Sequence, residues 1–226
     1  MFTIAQGAWE PHMVVVADRF LRPDQVVIDA GAHIGYFTIL AAAKVGPNGR
    51  VLAIEPSPLN LSRLKRNLEL SEIGGCTTIC PVAVGERQGT VTLYSDGNSG
   101  GTEFSLYSVR HGGQSAGNVE VRSLDELCIE HNVDTVDFIK IDVEGAELAT
   151  LVGAQQVMAR SPRLKIVVEL HPWVVAPEEV CRFLAASGFF LYDLGAGFSR
   201  FDAERAQQRF EDGGDVFASK VALPET

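Results

Sequence analysis

Short apolar runs alternate along the chain with longer segments in which apolar residues recur at helical spacing. Continuous apolar runs predict strands that are buried on both faces of a sheet. These runs fall at residues 26–28, 50–55, 76–81, 136–142 and 164–170. Helical spacing predicts helices between them, such as one over 36–45, which Gly46 and Pro47 end. We therefore expect an α/β fold with a doubly wound, mostly parallel sheet and right-handed crossovers.

Residues 82–122 interrupt this alternation and predict a β-hairpin/loop insertion. Segments 91–94 and 119–122 alternate polar and apolar residues, as the two strands of a hairpin at the sheet edge would. The stretch 95–118 is rich in glycine and serine. We interpret it as a flexible loop that acts as a lid or binds the second substrate, because long loops inside compact domains are usually functional or disordered.

The two ends of the chain complete a single predicted domain over residues 1–226. Residues 1–22 are expected to form a helical cap over the start of the sheet, since Pro11 suits a first helical turn and apolar residues follow it. Segments 189–193 and 215–221 predict two last strands. The charged segment between these strands is predicted to lie on the surface.

Composition excludes several classes of partner. A net charge of −10 argues against binding to a nucleic-acid backbone or to an anionic membrane surface. The sequence has no uninterrupted apolar segment of about 18 residues, and its first residues lack the pattern of a signal peptide. The four cysteines form no Cys-x-x-Cys pair, so we expect free thiols and a cytoplasmic location.

The turn after the first strand carries Asp29, Gly31 and Gly35, and it differs from the phosphate-binding loops. Neither Gly-x-x-x-x-Gly-Lys-Ser/Thr nor Gly-x-Gly-x-x-Gly is present there. A carboxylate at the mouth of this turn would repel a pyrophosphate but would suit a cationic ligand. S-adenosylmethionine has a sulfonium, an ammonium and no phosphate, and its carboxylate can lie by the amino end of the next helix. We therefore predict S-adenosylmethionine as the cofactor.

Four of the predicted strands end in an acid, at Asp29, Glu55, Asp142 and Glu169. In an open parallel sheet, ligands bind outside the carboxyl ends of the strands, near the switch point. Acids that converge there are costly unless a ligand compensates them. Glu55 lies about 20 residues beyond the glycine turn, the position from which an acid binds ribose hydroxyls, which would fit a dehydrogenase as well as a methyltransferase.

Three residues are candidates for the chemical step. His171, just after the fifth strand, is the first choice for a general base because an imidazole titrates near neutrality. Asp142 and Glu144 are expected near the reacting centre and are the second choice. His33, inside the glycine turn, is interpreted as a residue that shapes the backbone or contacts the edge of a ligand. An alternative that is not favoured adds Mg²⁺, bound by Asp142, Glu169 and His171, to hold a diol acceptor.

The chain also carries a series of motifs in a fixed order over residues 9–192. They are Asp29-Ala-Gly-Ala-His-Ile-Gly35, Ala53-Ile-Glu-Pro56, Asn67, Ala83-Val-Gly, Ile139-Lys-Ile-Asp-Val-Glu-Gly-Ala-Glu147 and Val168-Glu-Leu-His171. In this order they resemble the FkbM-type methyltransferase family. The resemblance implies a class I methyltransferase (Rossmann-like) fold with an antiparallel last strand, and O-methylation with S-adenosylmethionine.

The resemblance also implies a cofactor site, position by position. The residues predicted to bind the cofactor are Asp29, Gly31, Ala32, His33, Gly35, Glu55, Pro56, Ala83 and Asp142. The turn residues would line the methionine part, Glu55 would bind the ribose, Ala83 would lie by the adenine and Asp142 by the methyl group. His33 stands where the family usually has asparagine, which leaves the hydrogen bond of that side chain open.

The preferred hypothesis is methyl transfer to a hydroxyl of a small molecule, sugar or natural product, with no nucleic acid and no membrane as partner. Two other classes stay open at this point. An NAD-dependent oxidoreductase is compatible with Glu55 but not with Asp29 in the turn. A binding module that keeps the fold without catalysis would bind the cofactor and transfer no methyl group.

Overall fold

A computed structural model of the protein describes residues 10–95, 104–105 and 114–224. The strands are β1 (Val26–Ala30), β2 (Arg50–Ile54), β3 (Thr77–Cys80), β4 (Ala83–Val84), β5 (Gly89–Ser95), β6 (Phe104–Ser105), β7 (Gln114–Arg122), β8 (Phe138–Ile141), β9 (Lys165–Leu170), β10 (Phe190–Asp193), β11 (Ser199–Phe201) and β12 (Gly214–Ser219). The helices are α1 (Pro11–Phe20), α2 (Tyr36–Val45), α3 (Pro58–Ser71), α4 (Leu124–Glu130), α5 (Glu147–Val152), α6 (Gln155–Arg160), α7 (Pro177–Ala186) and α8 (Ala206–Arg209).

An eight-stranded sheet in the order β11-β10-β12-β9-β8-β1-β2-β3 forms the centre of the molecule. The strands from β3 across to β9 are parallel. Strand β12 lies antiparallel between β9 and β10, and β11 is antiparallel to β10. The predicted doubly wound, mostly parallel sheet with an antiparallel last strand is therefore confirmed. The chain runs to one side of β1 for β2 and β3 and to the other for β8 and β9, so the switch point lies between β1 and β8.

The two faces of this sheet carry separate apolar cores. Ile28 and Ile139 belong to the core on one face, while Val27 and Phe138 pack with α1 and α2 on the other. Side chains alternate between faces along a strand, so Asp29 and the residue paired with it, Lys140, lie on the face of α1 and α2. Asp29 and Lys140 are therefore two charged residues on an otherwise apolar face of the sheet, towards the carboxyl ends of β1 and β8.

The predicted hairpin exists, but it belongs to a second sheet rather than to the edge of the first. Strands β5 and β7 pair antiparallel within a four-stranded sheet of order β4-β7-β5-β6. The two-residue strand β4 follows β3 of the main sheet and pairs in parallel with β7. The chain therefore passes from the main sheet into the second sheet at this point. Residues 114–118 of the predicted loop are part of β7, whereas 96–103 and 106–113 lie outside the described residues.

The segment between β10 and β12 contains a strand and a helix that its charge pattern did not predict. Strand β11 and helix α8 lie there, where a surface segment was predicted. The apolar residues of this segment are interleaved with the charged ones, and Phe201 and Phe210 are buried with ring centroids 5.4 Å apart. Its arginines and glutamates remain on the outside, so the surface prediction holds for those side chains alone.

Two further expectations concern the state of the cysteines and the presence of membrane-spanning helices. All four cysteines are free thiols, as predicted, and three of them are buried. Burial raises the pKa of the Cys80 thiol to about 11, so it is not a reactive thiolate near neutral pH. None of the helices in the described part of the chain has the length and apolar character needed to span a bilayer.

Candidate functional site

A cavity of about 230 Å³ lies at the carboxyl ends of β1, β2 and β8, beside the switch point. On the β2 side its wall is mostly apolar and includes Ile54, Val82 and Leu93. On the β8 side its wall is charged, with Glu10 from the segment before α1 and Glu169 from β9. Because these two sides lie on either side of β1, an elongated ligand across the cavity would meet an apolar end and an acidic end.

Glycine lets the turn after β1 lie directly against the loop after β8. Gly31 has a φ of +85°, and a Cβ there would lie 1.7 Å from the backbone oxygen of Asp142. Gly35 has a φ of +92°, and a Cβ there would lie 2.5 Å from Leu64 Cδ1. Between them His33 adopts a φ of +52°, a left-handed conformation that asparagine and histidine adopt more readily than most other residues. The wall of the cavity here is therefore backbone, which a ligand can approach closely.

Glu55, at the end of β2, is held in place by donors on both sides. Its carboxylate accepts hydrogen bonds from the backbone N–H of His33 and of Ser57, each at 2.9 Å, and from Asn60 Nδ2 at 3.4 Å. Burial raises the pKa of Glu55 although these hydrogen bonds oppose the change. A carboxylate fixed in this way, with lone pairs still directed to the cavity, is suited to accept hydrogen bonds from a ligand diol.

Asp29 lies behind the turn rather than in the cavity wall. It is fully buried, and its Oδ2 accepts a hydrogen bond of 2.5 Å from Thr38 Oγ1 on α2. Burial raises its pKa, and Lys140 and Thr38 offset part of that effect. The predicted direct contact of Asp29 with a cofactor stays a prediction, because the structure shows it next to the residues that line the cavity and not among them.

Lys140 lies between two acids at the charged end of the cavity. Its Nζ donates a hydrogen bond of 2.9 Å to Asp142 Oδ2, and its side chain is 7% exposed. Burial alone would lower its pKa, but Asp142, Asp29 and Glu10 outweigh burial and raise it, so the ammonium is charged. The pKa of Asp142 is lowered because Lys140 outweighs the effect of burial.

His171 is buried beside this charged end and contacts two carboxylates. Its Nδ1 lies 2.6 Å from Glu147 Oε1, and its Nε2 lies 3.4 Å from Glu144 Oε2. Glu147 Oε1 also accepts the backbone N–H of Gly145 at 2.8 Å, which fixes the carboxylate. Burial alone would lower the pKa of His171, but the hydrogen bond and charge of Glu147, then the charges of Glu144 and Asp142, raise it to about 9.

The loop between β8 and α5 presents Glu144 to the cavity. Glu144 has a φ of +52° and Gly145 a φ of +109°, so two consecutive residues are left-handed. Strained backbone of this kind recurs at ligand sites. A Cβ at Gly145 would lie 2.7 Å from Val174, so the turn also packs tightly against the loop that follows His171.

Glu169 extends the acidic wall in a largely neutral form. Burial, followed by the charges of Asp142 and Asp215, raises its pKa to about 8. Asp215 faces it from the neighbouring antiparallel strand. Near neutral pH the Glu169 carboxyl is therefore mostly protonated and can donate as well as accept a hydrogen bond.

One group of potential metal ligands stands out in the described part of the chain. Asp142, Glu144 and His171 each offer a ligand atom, and these atoms lie within 4.8 Å of one another. Two carboxylate oxygens and an imidazole nitrogen fit a divalent cation. Glu169, which the sequence suggested as a ligand, is not in this group, whereas Glu144 is.

The structure brings most of the predicted site residues together. The predicted residues that line the cavity are Gly31, Ala32, His33, Glu55, Pro56, Ala83, Asp142, Glu144 and Glu169. Asp29, Gly35 and His171 lie directly behind this wall. Sequence reasoning did not single out Glu147 and Lys140. Alternation along β8 could have placed Lys140 on the face of Asp142, but the contact of Glu147 with His171 joins residues 24 apart through tertiary packing.

Comparison with known proteins gives a consistent assignment. The model of the methyltransferase FkbM domain matches residues 29–191. Methyltransferase sdnD of Sordaria araneosa is 26% identical over 217 residues, covering 84% of this chain and 80% of its own length. The 31-O-demethyl-FK506 methyltransferase FkbM of Streptomyces tacrolimicus is 28% identical over 196 residues, covering 75% of this chain and 74% of its own length.

A solved structure supports the same fold. The crystal structure of methyltransferase FkbM from Methylobacillus flagellatus KT superposes with a TM-score of 0.52 at 17% identity, over 91% of this chain and 50% of that one. At this identity the likeness concerns the fold, which agrees with the sheet order described above. The family match spans more than half of the chain and covers the glycine turn, Glu55, the loop after β8 and His171. The chain therefore belongs to the FkbM family of S-adenosylmethionine-dependent methyltransferases.

Proposed function

We propose that the protein transfers the methyl group of S-adenosylmethionine to a hydroxyl oxygen of a small molecule, sugar or natural product. The observation that carries the proposal is the cavity at the switch point, with Glu55 on one side and the Asp142, Glu144 and His171 cluster on the other. This arrangement matches a ligand that carries an adenine and a ribose towards one end and a cationic sulfur and an amino acid towards the other.

The chemistry of the two sides supports one orientation of the cofactor in this proposal. Glu55 accepts hydrogen bonds from the ribose hydroxyls, and the adenine lies in the apolar part near Pro56 and Ala83. The sulfonium then faces Asp142 and Glu144, where negative charge stabilises it. A pyrophosphate in the same position would meet these carboxylates, which argues against the NAD-dependent oxidoreductase.

The chemical step is an in-line displacement at the methyl carbon. The bond between the acceptor oxygen and the methyl carbon forms as the bond between that carbon and the sulfur breaks, and the electron pair stays on sulfur. The acceptor proton passes to Nε2 of neutral His171 by way of the Glu144 carboxylate, which lines the cavity 3.4 Å from Nε2, and the ring is held by Glu147 at Nδ1. Holding donor and acceptor in this geometry contributes up to roughly 7–11 kcal/mol of the barrier reduction.

Glu147 prepares His171 for this role. A carboxylate at Nδ1 keeps the proton on that nitrogen, so the neutral ring presents the lone pair of Nε2 towards Glu144 and Asp142. The same negative charges favour the protonated ring, which limits the base to high pH until the cofactor binds. The sulfonium of the bound cofactor, a nearby positive charge, shifts the pKa back down.

Binding experiments test the cofactor, and transfer experiments test the reaction. Calorimetry with S-adenosylhomocysteine is expected to give one site per chain, and NAD⁺ is expected to give no binding. Transfer of labelled methyl groups to a panel of sugars and hydroxylated natural products then identifies the acceptor. Binding of NAD⁺ in place of S-adenosylhomocysteine would contradict the proposal, and cofactor binding without transfer to any hydroxyl would favour a binding module.

The proposed reaction proceeds without a metal ion. Activity is therefore expected to be the same in EDTA as in added Mg²⁺, since His171 itself accepts the proton. Loss of activity in EDTA that Mg²⁺ or Mn²⁺ restores would show instead that Asp142, Glu144 and His171 bind a cation that holds the acceptor.

A further inference from the structure

The cavity contains a basic side chain that the reaction described above does not use. Among the lining residues of the described chain, Lys140 is the single lysine or arginine, and Glu10, Glu55, Asp142, Glu144 and Glu169 are also there. Lys140 lies next to Asp29 and Asp142 and also forms part of the cavity wall. Lys140 reaches it from the end of β8, between Asp29 and Asp142.

The cofactor carries one group that this acidic wall would repel. S-adenosylmethionine has a sulfonium and an ammonium, which the carboxylates attract, and a carboxylate, which they do not. A buried carboxylate requires a donor or a cation for compensation. We propose that Lys140 binds the carboxylate of the cofactor's amino-acid part and so orients that part at the charged end of the cavity. This inference rests on the proposed function, because it presumes S-adenosylmethionine as the ligand.

The geometry of Lys140 permits this contact without loss of its present one. An ammonium has three N–H donors, and the described residues supply a hydrogen-bond acceptor for one of them, Asp142 Oδ2 at 2.9 Å. Its side chain is 7% exposed, and that small exposed part is in the cavity wall. A ligand carboxylate there forms a charge-assisted hydrogen bond in a place that water reaches poorly, where such bonds are strong.

The position of Lys140 also separates the two charged groups of the amino acid. Asp142 and Glu10 also line the cavity, both act electrostatically on Lys140, and they can attract the ammonium while Lys140 holds the carboxylate. Recognition of a zwitterion requires both signs of charge within a few ångströms. The alternative partner for the carboxylate is the amino end of α2 at Gly35, where backbone N–H groups and the helix dipole attract anions.

A pair of ligands that differ in the carboxylate alone tests the proposal. S-adenosylhomocysteine has the carboxylate, and 5′-deoxy-5′-(3-aminopropylthio)adenosine has the same chain and ammonium without it. Calorimetry on the full chain would measure both ligands with wild type, Lys140→Met and Lys140→Arg. The matched control is Lys44→Met on α2, since Lys44 pairs with Asp18 and does not line the cavity.

We expect wild type to prefer S-adenosylhomocysteine by roughly tenfold to hundredfold, the range for a hydrogen bond to a charged group. Lys140→Met is expected to abolish this preference, Lys140→Arg to retain part of it and Lys44→Met to leave it unchanged. Equal affinity of wild type for the two ligands would overturn the proposal without any variant. A preference that survives in Lys140→Met would overturn it in favour of the α2 amino end. Failure of wild type to bind either ligand would instead contradict the proposed function.

Discussion

His171 is buried and is also the proposed general base, and the carboxylates next to it determine its pKa and its orientation. With Glu147 on Nδ1 and Glu144 near Nε2, the ring is oriented from both sides. The pKa of about 9 means that the free protein holds a proton there at neutral pH. The ring therefore acts as a base only in the fraction of molecules that have lost this proton, or after a cation has entered the cavity.

Replacement of His171 tests its role as the base. His171→Ala is expected to lower kcat by about 10²–10⁴-fold, the usual contribution of a general base. The affinity for S-adenosylhomocysteine is expected to change little, because His171 lies behind the cavity wall. His131→Ala is the matched control, since neither His131 nor its partner Cys80 lines the cavity. Wild-type turnover in His171→Ala would show that another group takes the proton.

The pH dependence of turnover tests the influence of Glu147. At limiting cofactor, where kcat/KM reports the free protein, the rate of wild-type protein is expected to rise with pH up to about 9, because His171 must be deprotonated to accept a proton. Glu147→Gln removes the charge that raises the pKa of His171, so this rise is expected to occur at lower pH, with a smaller maximal rate because the ring is less well oriented. A rise at the same pH in both proteins would argue against the pairing.

At the scale of elements, the turn after β1 and the loop after β8 form one unit. Gly31 allows the turn after β1 to lie against the backbone of the loop after β8. A shift of one loop would therefore require a shift of the other. The cavity wall is built at this contact. Its shape therefore depends on β1 and β8, which begin 112 residues apart in sequence but pair directly in the sheet through Val27 to Ala30.

Gly31→Ala tests this contact. The added Cβ would meet the Asp142 backbone oxygen at 1.7 Å, so the turn must shift, and we expect a loss of about 2–5 kcal/mol in the free energy of unfolding together with loss of cofactor binding. Gly197→Ala is the control, because Gly197 has a φ of +65° with no atom within 4 Å of the added Cβ. It is expected to cost about 1–2 kcal/mol from backbone strain and to leave binding intact. Chemical denaturation and calorimetry measure both effects.

The elements that sequence could predict are those with a strong local pattern. Continuous apolar runs identified β1, β2, β8 and β9, because strands covered on both faces have few polar positions. The capping box at Ser123 and Glu126, which begins α4, is a local pattern of the same kind. Strand β11 was missed because three residues carry too little period, and its place is set by pairing with β10.

The candidate site likewise has features that the sequence could predict and features that it could not. The acids at strand ends could be predicted to converge, since the ends of parallel strands meet at one edge. Whether a given acid faces the cavity depends on packing, and Asp29 instead accepts a hydrogen bond from Thr38 behind the wall. The pairing of His171 with Glu147 also depends on how α5 packs beside β9, which no local pattern encodes.

At the scale of the whole molecule, part of the negative charge of the chain is gathered at the candidate site. The protein has a net charge of −10, and several of its carboxylates lie at one edge of the sheet. The raised pKa values of Glu169 and His171 show that this edge favours bound protons when no ligand is present. A cationic cofactor relieves the same repulsion, so protons and cofactor are expected to compete for the site.

The stability of the free protein is expected to report this repulsion. Glu169 has a pKa of about 8 against an ordinary value of 4.5, and His171 about 9 against 6.5. The folded state thus binds more protons than the unfolded state between these values, so the free energy of unfolding falls as pH rises from about 4.5 to about 9, through Glu169 up to about 8 and through His171 above about 6.5. Thermal denaturation across this range measures the effect, and the double variant Glu169→Gln, His171→Gln is expected to flatten it. A stability that increases with pH over this range would contradict the assignment.

The most direct measurement is a crystal structure of the protein with S-adenosylhomocysteine. The account predicts ribose hydroxyls within hydrogen-bond distance of Glu55, adenine beside Ala83, and a sulfur that faces Asp142 and Glu144 with open space in front of it. Density for the ligand elsewhere, or a sulfur that faces away from those carboxylates, would contradict it.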